Sequence, residues 1–309
     1  DTMITVFGSI NVDMVMQVDA LPAPGETVLC PEYLIVPGGK GANQAVAAAR
    51  AGAPVQMIGT VGTDTFAETA LGSLRDSGVD VSAVASTDRP TCCATVWVDN
   101  RGENSIVVAS GANLDTTARQ LSTIEFGAQD WLVLQMEIPL AENWAAVREA
   151  KTQGARVILS VAPAAPVPEE VLANVDVLLV NEIEGQAVAT AIGLPPSDPK
   201  RLLADLSQRF SLTAIMTLGK QGAIMIGPAG GFEAPALPIS TTDTTGAGDA
   251  FAGILAAALD ADASLENAVR RASVGAALAC KTMGAQTSLP YRADIDSALP
   301  NLAPLRPLD

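Results

Sequence analysis

The chain alternates between short apolar runs and longer segments with helical periodicity. Runs such as WLVLQME, RVILSVA, VDVLLVNE and AIMTLG alternate with segments such as ANQAVAAARAG and AENWAAVREAKTQG. Strands that are apolar on both faces favour a mostly parallel sheet with helices on each side. The pattern therefore predicts an α/β, doubly wound protein. MITVFGSINVDMV is predicted to be a strand ending near Gly8, AIMIG an antiparallel partner of AIMTLG, and two helices, 247–259 and 264–281, are predicted to close the chain.

Two stretches do not follow this alternation. LPAPGETVLCPEYLIVPGG is broken by Pro and Gly, and TCCATVWVDNRGENSIVVAS is typical of a hairpin, with two alternating strands around an Asn/Gly turn. We expect these stretches to form a small β-sheet lid, about 14–37 and 91–112. The lid is predicted to be inserted in a single α/β domain that covers residues 1–309.

Charge and hydropathy narrow the choice of partners. The formal net charge is −16 and the pI is about 4.3, which disfavours nucleic acid or an anionic membrane as the main partner. No apolar run approaches the ~18 residues of a membrane span, and DTMITVFGSI lacks the basic residues of a signal peptide. We therefore expect a cytoplasmic protein whose anionic ligands are held by local positive features.

The counts of histidine and cysteine exclude several kinds of catalysis. Histidine is absent, so neither a Ser-His-Asp nor a Cys-His mechanism is possible. The four cysteines include no Cys-x-x-Cys spacing, which argues against a zinc site built on Cys/His spacing. The adjacent Cys92 and Cys93 are predicted to be reduced packing residues in a strand.

The stretch DTTGAGDAF, 243–251, combines bare backbone with a carboxylate. The helix-forming run AGILAAAL follows it, so Gly246–Gly248 is predicted to open a helix, whose free N–H groups attract anions. Asp249 has two interpretations at this place. It could cap the helix, as Asp often does in a first turn, or it could remove a proton from a group that attacks the bound anion.

Other polar residues are predicted to meet at one edge of the sheet. In a doubly wound sheet, ligands bind outside the carboxyl ends of the strands. The residues expected there are Asn11 and Asp13 after the first strand, Glu137 after WLVLQM, Asn181 and Glu184 after VDVLLV, and Asp249 after ALPIS. GGKGANQA, 38–45, joins a strand to a helix but matches neither a P-loop nor a dinucleotide fingerprint.

Taken together, these motifs resemble the ribokinase-like (PfkB-type) carbohydrate kinases. GSINVD, LPAPGET, GGKGANQAVAA, QMEIP, NEIEG, TLGKQG, DTTGAGDAF and MGAQTSLP extend the resemblance almost from end to end. The form GGKGANQ is closer to the ribokinases than to fructokinase-like or adenosine-kinase-like members. The resemblance implies ATP-dependent phosphorylation of a sugar's primary hydroxyl, with D-ribose converted to D-ribose 5-phosphate. A fructokinase-like or nucleoside kinase is the alternative, and a non-catalytic sugar-binding regulator is a more distant one.

The resemblance also implies a role for each matching position. Asp249 matches the catalytic base, and the anion hole matches Gly246, Ala247 and Gly248. Contacts to the sugar match Asn11, Asp13, Gly39, Lys40, Asn43 and Glu137, with Ala94 and Val108 on the lid strands. The nucleotide contacts match Asn181, Thr217, Gly219, Gly222, Gly248 and Ser273. Glu184 matches a ligand of Mg²⁺ through water, and an activating monovalent cation, K⁺, matches Asp243, Thr245, Ala279, Thr282, Gly284 and Ser288.

Two departures from the family pattern and one surface add expectations. Ser160-Val161 stands where ribokinases carry Asn-Pro, and Cys92-Cys93 stands where a Thr-Gly-type pair is usual. Both could alter the preferred sugar. The lid keeps apolar residues, including Val28, Leu34, Val96 and Val107, that we expect on its outer faces, where they predict a homodimer formed lid to lid.

Overall fold

A computed structural model describes residues 2–309. Its strands are, in chain order, β1 (Ile4–Phe7), β2 (Asn11–Gln17), β3 (Leu34–Gly38), β4 (Val55–Ile58), β5 (Thr60–Val61), β6 (Ala85–Ser86), β7 (Cys92–Val98), β8 (Asn104–Ala109), β9 (Trp131–Leu134), β10 (Arg156–Ser160), β11 (Val177–Val180), β12 (Thr213–Thr217), β13 (Ala223–Gly227), β14 (Gly230–Ala234) and β15 (Arg306–Pro307). Its helices are α1 (Lys40–Arg50), α2 (Thr65–Asp76), α3 (Leu140–Thr152), α4 (Glu169–Leu172), α5 (Glu182–Ala191), α6 (Pro199–Phe210), α7 (Ala247–Asp260), α8 (Leu265–Ala279) and α9 (Arg292–Ala298).

A large sheet forms the centre of the molecule. Its strand order is β15-β14-β13-β12-β11-β10-β9-β1-β4. The parallel strands of this sheet are β4, β1, β9, β10, β11 and β12, and an antiparallel edge is added by β13, β14 and β15. The parallel part is the doubly wound arrangement that the apolar runs predicted, and β13 is the predicted antiparallel partner of β12.

Each face of the large sheet carries its own apolar core. Ile4 and Val6 pack with α1, α2, α7 and α8, whereas Phe7 packs on the opposite face with α3, α4, α5 and α6. Successive strand residues point to opposite faces, so a strand between two helical layers must be apolar throughout. This burial explains why the sequence shows continuous apolar runs.

A separate four-stranded sheet lies beside the large one. Its order is β3-β2-β7-β8, with β2 and β7 parallel and the other pairs antiparallel. The predicted hairpin is present as β7 and β8. The predicted strand ending near Gly8 is present as β1, and the residues that follow it form a second strand, β2, which belongs to the small sheet. The alternating stretch VQMIGTVG, 55–62, forms two strands, β4 and β5, and not one.

The C-terminal part differs from the predicted elements in three places. The closing helices are α7 and α8, with bounds within two residues of those predicted, and α9 and β15 follow them. ALPIS, 236–240, is not a strand, so Asp249 does not follow the end of one.

Within residues 2–309, no helix is both long enough and apolar enough to cross a membrane.

Candidate active site

Asp249 lies buried between α7 and α1. It is 4% exposed, and its carboxylate accepts hydrogen bonds from Asn43 Nδ2 at 2.9 Å and Gln44 Nε2 at 3.1 Å. No side chain caps α7, whose N-cap is Gly246, so the interpretation of Asp249 as a helix cap is wrong. Burial raises the pKa of Asp249, although Lys40 and the two amides oppose the shift. A buried carboxylate of raised pKa is suited to accept a proton.

The start of α1 lies against the beginning of β2. Gly39, the N-cap of α1, has φ 91°, and a Cβ there would lie 2.8 Å from the backbone nitrogen of Asn11. Glycine is therefore required both by the left-handed backbone and by the close approach. Glu137 Oε1 accepts hydrogen bonds from the Lys40 backbone nitrogen at 2.8 Å and from Ser9 Oγ at 2.7 Å. These contacts bring Gly39, Lys40 and Glu137 together, as predicted.

Lys40 is the cation that faces a group of carboxylates. Its pKa is raised chiefly by Asp249, against the effect of burial, and further by Glu137 and then by Glu184 and Asp13. Burial, with Glu137 second, raises the pKa of Asp13 from 3.8 to about 6. A ligand rich in hydroxyl groups could satisfy these buried acceptors.

The small sheet contributes one row of residues to this region. Asp13 on β2 pairs with Ala94 on β7, and Ala94 pairs with Val108 on β8. Paired residues share a face of the sheet, so the predicted lid residues lie in the same row as Asp13. Asp13 itself lies within β2, and not at the carboxyl edge of the large sheet.

Asn113 is a buried residue of this region that the sequence analysis missed. The Ile10 backbone N–H donates to Asn113 Oδ1 at 3.1 Å. The NH₂ group of Asn113 therefore faces the other way, where Nδ2 donates to Asn11 Oδ1 at 2.8 Å. Asn11 therefore keeps its own NH₂ group available as a donor. Asn113 falls in a 3₁₀ turn, Gly111–Asp115, which carries no periodic signal that could have identified it.

A cavity of about 500 Å³ lies on the other side of the α7 N-terminus. This cavity is lined by several residues that were predicted to contact the nucleotide or the transferred phosphoryl group: Thr217, Gly219, Gly222, Ala247, Gly248 and Ser273. Gly246, beside it, has φ 78°, a conformation that glycine adopts readily. The apolar wall 235–239 was missed, since that segment has no regular pattern. A flat heteroaromatic ring fits such a wall.

Asn181 and Glu184 lie at the N-terminus of α5 and cap it reciprocally. Asn181 Oδ1 accepts from the Glu184 backbone nitrogen at 2.8 Å, and Glu184 Oε1 accepts from the Asn181 backbone nitrogen at 2.9 Å. Burial raises the pKa of Glu184, whereas the Asn181 N–H and Lys40 lower it. The pair thus has a structural role, and Glu184 Oε2 lies outside the capping bonds.

The six residues predicted to bind a monovalent cation belong to two segments, 243–245 and 279–288. Asp243 Oδ1 accepts from the Thr245 backbone nitrogen at 2.9 Å, and Oδ2 accepts from that of Gly284 at 3.2 Å. Burial alone would raise the pKa of Asp243, but hydrogen bonds from the Thr245 side chain and from the backbone of Thr245 and Gly284 together lower it. Ser288 Oγ donates to the Gly284 carbonyl. Ala279 ends α8 and Thr282 is exposed.

The chain matches a known protein family along almost its whole length. A family model described as pfkB family carbohydrate kinase matches residues 1–292. The chain belongs to the pfkB family of carbohydrate kinases. This confirms the resemblance seen in the motifs, and it makes the protein an enzyme that transfers a phosphoryl group to a sugar.

Relatives of this pfkB kinase share its length and its fold. A ribokinase from Haemophilus influenzae is 34% identical over 292 residues, which cover 94% of this chain and 95% of that protein. The structure of a Thermotoga maritima ribokinase has a TM-score of 0.90 at 30% identity and covers 97% of this chain and 100% of that one. An Arabidopsis thaliana ribokinase complexed with ribose and ATP has a TM-score of 0.86 at 28% identity, covering 96% of this chain and 98% of that one. The predicted fold class is confirmed.

The two departures from the family pattern have different surroundings in this pfkB kinase. Ser160 and Val161 are buried at the end of β10, and Val161 belongs to an apolar core. Cys92 is buried on β7 and Cys93 is half-buried. All four cysteines are free thiols, which agrees with the prediction of reduced thiols for Cys92 and Cys93. Burial, with Glu137 second, raises the pKa of Cys92 to about 12, so its thiol stays protonated.

Proposed function

We propose that this pfkB kinase phosphorylates the primary hydroxyl of D-ribose with ATP and forms D-ribose 5-phosphate. The observation that carries the proposal is the position of Asp249. Its buried carboxylate lies between a polar cradle, made by Asn11, Asp13 and Lys40, and the cavity beyond the α7 N-terminus. A base at that boundary can act on a hydroxyl held in the cradle and face a phosphate that enters from the cavity.

The polar cradle suits a small polyol better than an apolar ligand. Asn11 offers a donor, Asp13 and Glu137 offer acceptors, and Lys40 offers an ammonium group. We expect the small sheet, with Ala94 and Val108 in the row of Asp13, to cover the sugar as a lid. The lid would exclude water, which would otherwise compete for the phosphoryl group.

The transfer itself uses groups of this chain. Asp249 takes the proton of the attacking hydroxyl, and the N–H groups of Gly246–Gly248 stabilise the charge on the transferred phosphoryl group. The cavity holds the nucleotide against Thr217, Gly219 and Gly222 and against its apolar wall.

A divalent cation accompanies ATP in enzymes of this kind. Among residues 2–309, no three of His, Cys, Asp and Glu cluster as a ready metal site. Mg²⁺ does not need such a cluster, because it keeps several waters and is held by phosphates and one or two carboxylates. Glu184 is the carboxylate that we assign to it, through water. The ion neutralises phosphate charge when it is bound.

We further propose K⁺ as an activator bound by the 243–245 and 279–288 segments. Asp243 supplies carboxylate oxygens, the kind of ligand that suits a hard cation, and it contacts the second segment at Gly284. The second segment packs against the anion hole, since a Cβ on Gly246 would lie 3.1 Å from the Ala285 carbonyl oxygen. A cation that shapes this segment would therefore stabilise the conformation of Gly246.

The experiment is a panel of pentoses, hexoses and nucleosides, each with ATP and a coupled assay for ADP. We expect D-ribose to give the highest kcat/KM. A preference for fructose or for a nucleoside would replace ribose by the corresponding alternative. Sugar binding without ADP formation would indicate a regulator.

A further inference from the structure

A chain of buried amides leads away from Asp249. Gln44 Nε2 donates to Asp249 Oδ1 at 3.1 Å, and Gln135 Nε2 donates to Gln44 Oε1 at 3.0 Å. Gln44 is 0% exposed and Gln135 is 1% exposed. Neither residue belongs to the cradle or the cavity described above.

The order of donors and acceptors in this chain follows from the charge of Asp249. An ionised carboxylate only accepts hydrogen bonds, so the NH₂ group of Gln44 must face it. The carbonyl of Gln44 then faces away and needs a donor, which Gln135 supplies. A Gln44 amide turned the other way would place an oxygen against the carboxylate and an NH₂ group against that of Gln135.

Gln135 is itself held in place. Its backbone carbonyl accepts a hydrogen bond from Asn143 Nδ2. Its side chain lies directly over Gly8, where an added Cβ would clash with Gln135 Oε1. Gln135 therefore has little freedom to move away from Gln44.

We propose that Gln44 and Gln135 are positioning residues for phosphoryl transfer, which hold Asp249 ionised and in one rotamer. The inference rests on the proposed function, in which Asp249 is the general base. Gln44 supplies the donor on Oδ1, and Gln135 sets the orientation of the Gln44 amide. Asn43 supplies the donor on the other oxygen, Oδ2.

The charged groups around Asp249 make this donor important. Lys40 favours the ionised form of Asp249, and Glu137 disfavours it. Glu184 is also within electrostatic reach. Because burial already raises the pKa of Asp249, loss of the Gln44 donor leaves a smaller fraction of the base ionised at acidic pH.

The first test is Gln44→Met, which keeps the length of the side chain and removes both hydrogen bonds. We expect kcat to fall by about tenfold or more, the range of a lost hydrogen bond to a charged group. The loss should be greater near pH 5 than near pH 9, because the acid limb of the pH profile moves to higher pH when Asp249 loses this donor. KM for the sugar should change less than kcat. A loss that is equal at every pH would overturn the proposal.

The second test is Gln135→Met, alone and combined with Gln44→Met. The single variant should give a smaller loss of the same pH-dependent kind, and this test remains available if Gln44→Met folds poorly. The double variant should be no more than about twofold worse than Gln44→Met, because Gln135 acts only through Gln44. Losses that multiply in the double variant would show that Gln135 acts independently, against the proposal.

Two controls separate the possible failures. Thr5→Val removes a partly buried hydrogen bond far from the site along β1, the one from Gln56 Nε2 at 2.8 Å, and it should leave the pH profile unchanged. Asp249→Asn tests the proposed function directly. If Asp249→Asn loses turnover while Gln44→Met keeps the wild-type pH profile, the positioning role of Gln44 and Gln135 is wrong and the assignment of Asp249 as the base stands. If Asp249→Asn stays active, the base assignment itself is wrong.

Discussion

Replacing Asp249 by Asn should remove most of the turnover and leave the fold intact. The substitution keeps the size of the side chain, but an amide cannot take a proton from the sugar hydroxyl. The introduced amide could accept a hydrogen bond from only one of Asn43 and Gln44, and its own NH₂ group would face the other side chain. The change therefore affects both the chemical step and the packing of α1 against α7.

The two effects have different sizes. A positioned general base contributes roughly 10²–10⁴-fold in rate, and we expect the upper part of that range because Asp249 is buried beside the reacting group. At about 1.4 kcal/mol for each tenfold, that corresponds to about 4–5.5 kcal/mol of the barrier. Leaving one amide unsatisfied costs about 1–3 kcal/mol of stability. Removing a buried charge offsets this by up to several kcal/mol, so the melting temperature should change little or rise.

The assay measures kcat, ATP affinity and melting temperature on the same preparation. The matched control is Asp260→Asn. Asp260 is buried at the opposite end of α7, about 16 Å away at 1.5 Å per residue, and it accepts a hydrogen bond from Thr2 Oγ1 at 3.1 Å. The control should keep nearly normal turnover. Turnover of Asp249→Asn within a few-fold of wild type would refute the general-base assignment, and with it the proposed mechanism.

Three further predictions concern Asp13, the cation and the lid. Burial raises the pKa of Asp13 to about 6, so the folded protein without sugar binds this proton more tightly than the unfolded chain does and loses stability as pH rises from about 4 to about 6. Asp13→Asn should therefore raise the melting temperature at neutral pH, and it should also raise the KM for the sugar. An unchanged melting temperature would contradict the burial of the Asp13 carboxylate. Activity should rise when K⁺ is added to buffer free of alkali metals, and Asp243→Asn should weaken the response, whereas a flat wild-type response excludes the cation site. Val107 is 60% exposed, so we expect light scattering at micromolar concentration to show a dimer that Val107→Lys dissociates. A wild-type monomer would contradict the lid interface.

The register of the small sheet revises one part of the dimer prediction. Leu34 and Val96 both pair with Val15. Val15 is two residues after Asp13 on β2, so all three lie on the same face of the small sheet as Asp13. They are therefore not on the outer face, whereas Val107 lies on the opposite face from Val108. Val28 and Val96 are only half-buried. Alternation along a strand shows which residues share a face, but only the packed structure shows which face is covered.

Much of the fold was determined by local pattern. The continuous apolar runs predicted a sheet covered on both faces because a buried parallel strand must be apolar on both sides. The glycines of GGKGANQA and GAGDAF marked the N-terminal ends of α1 and α7, since left-handed φ and close backbone approach both favour glycine. The sequence therefore located the starts of these two helices, and the family resemblance implied ligand contacts for their residues.

The partners of Asp249 depended on tertiary structure. Asn43 and Asp249 are 206 positions apart in the chain, and they meet because α1 packs closely on α7 at Gly253, where a Cβ would clash with the Gln44 carbonyl oxygen. The orientation of each buried amide follows from the donor or acceptor that it meets in the fold. Periodicity describes one element at a time, so contacts between distant elements became visible only when the helices packed. The burial of Asp249 against α1, in place of a helix-capping role, is one of them.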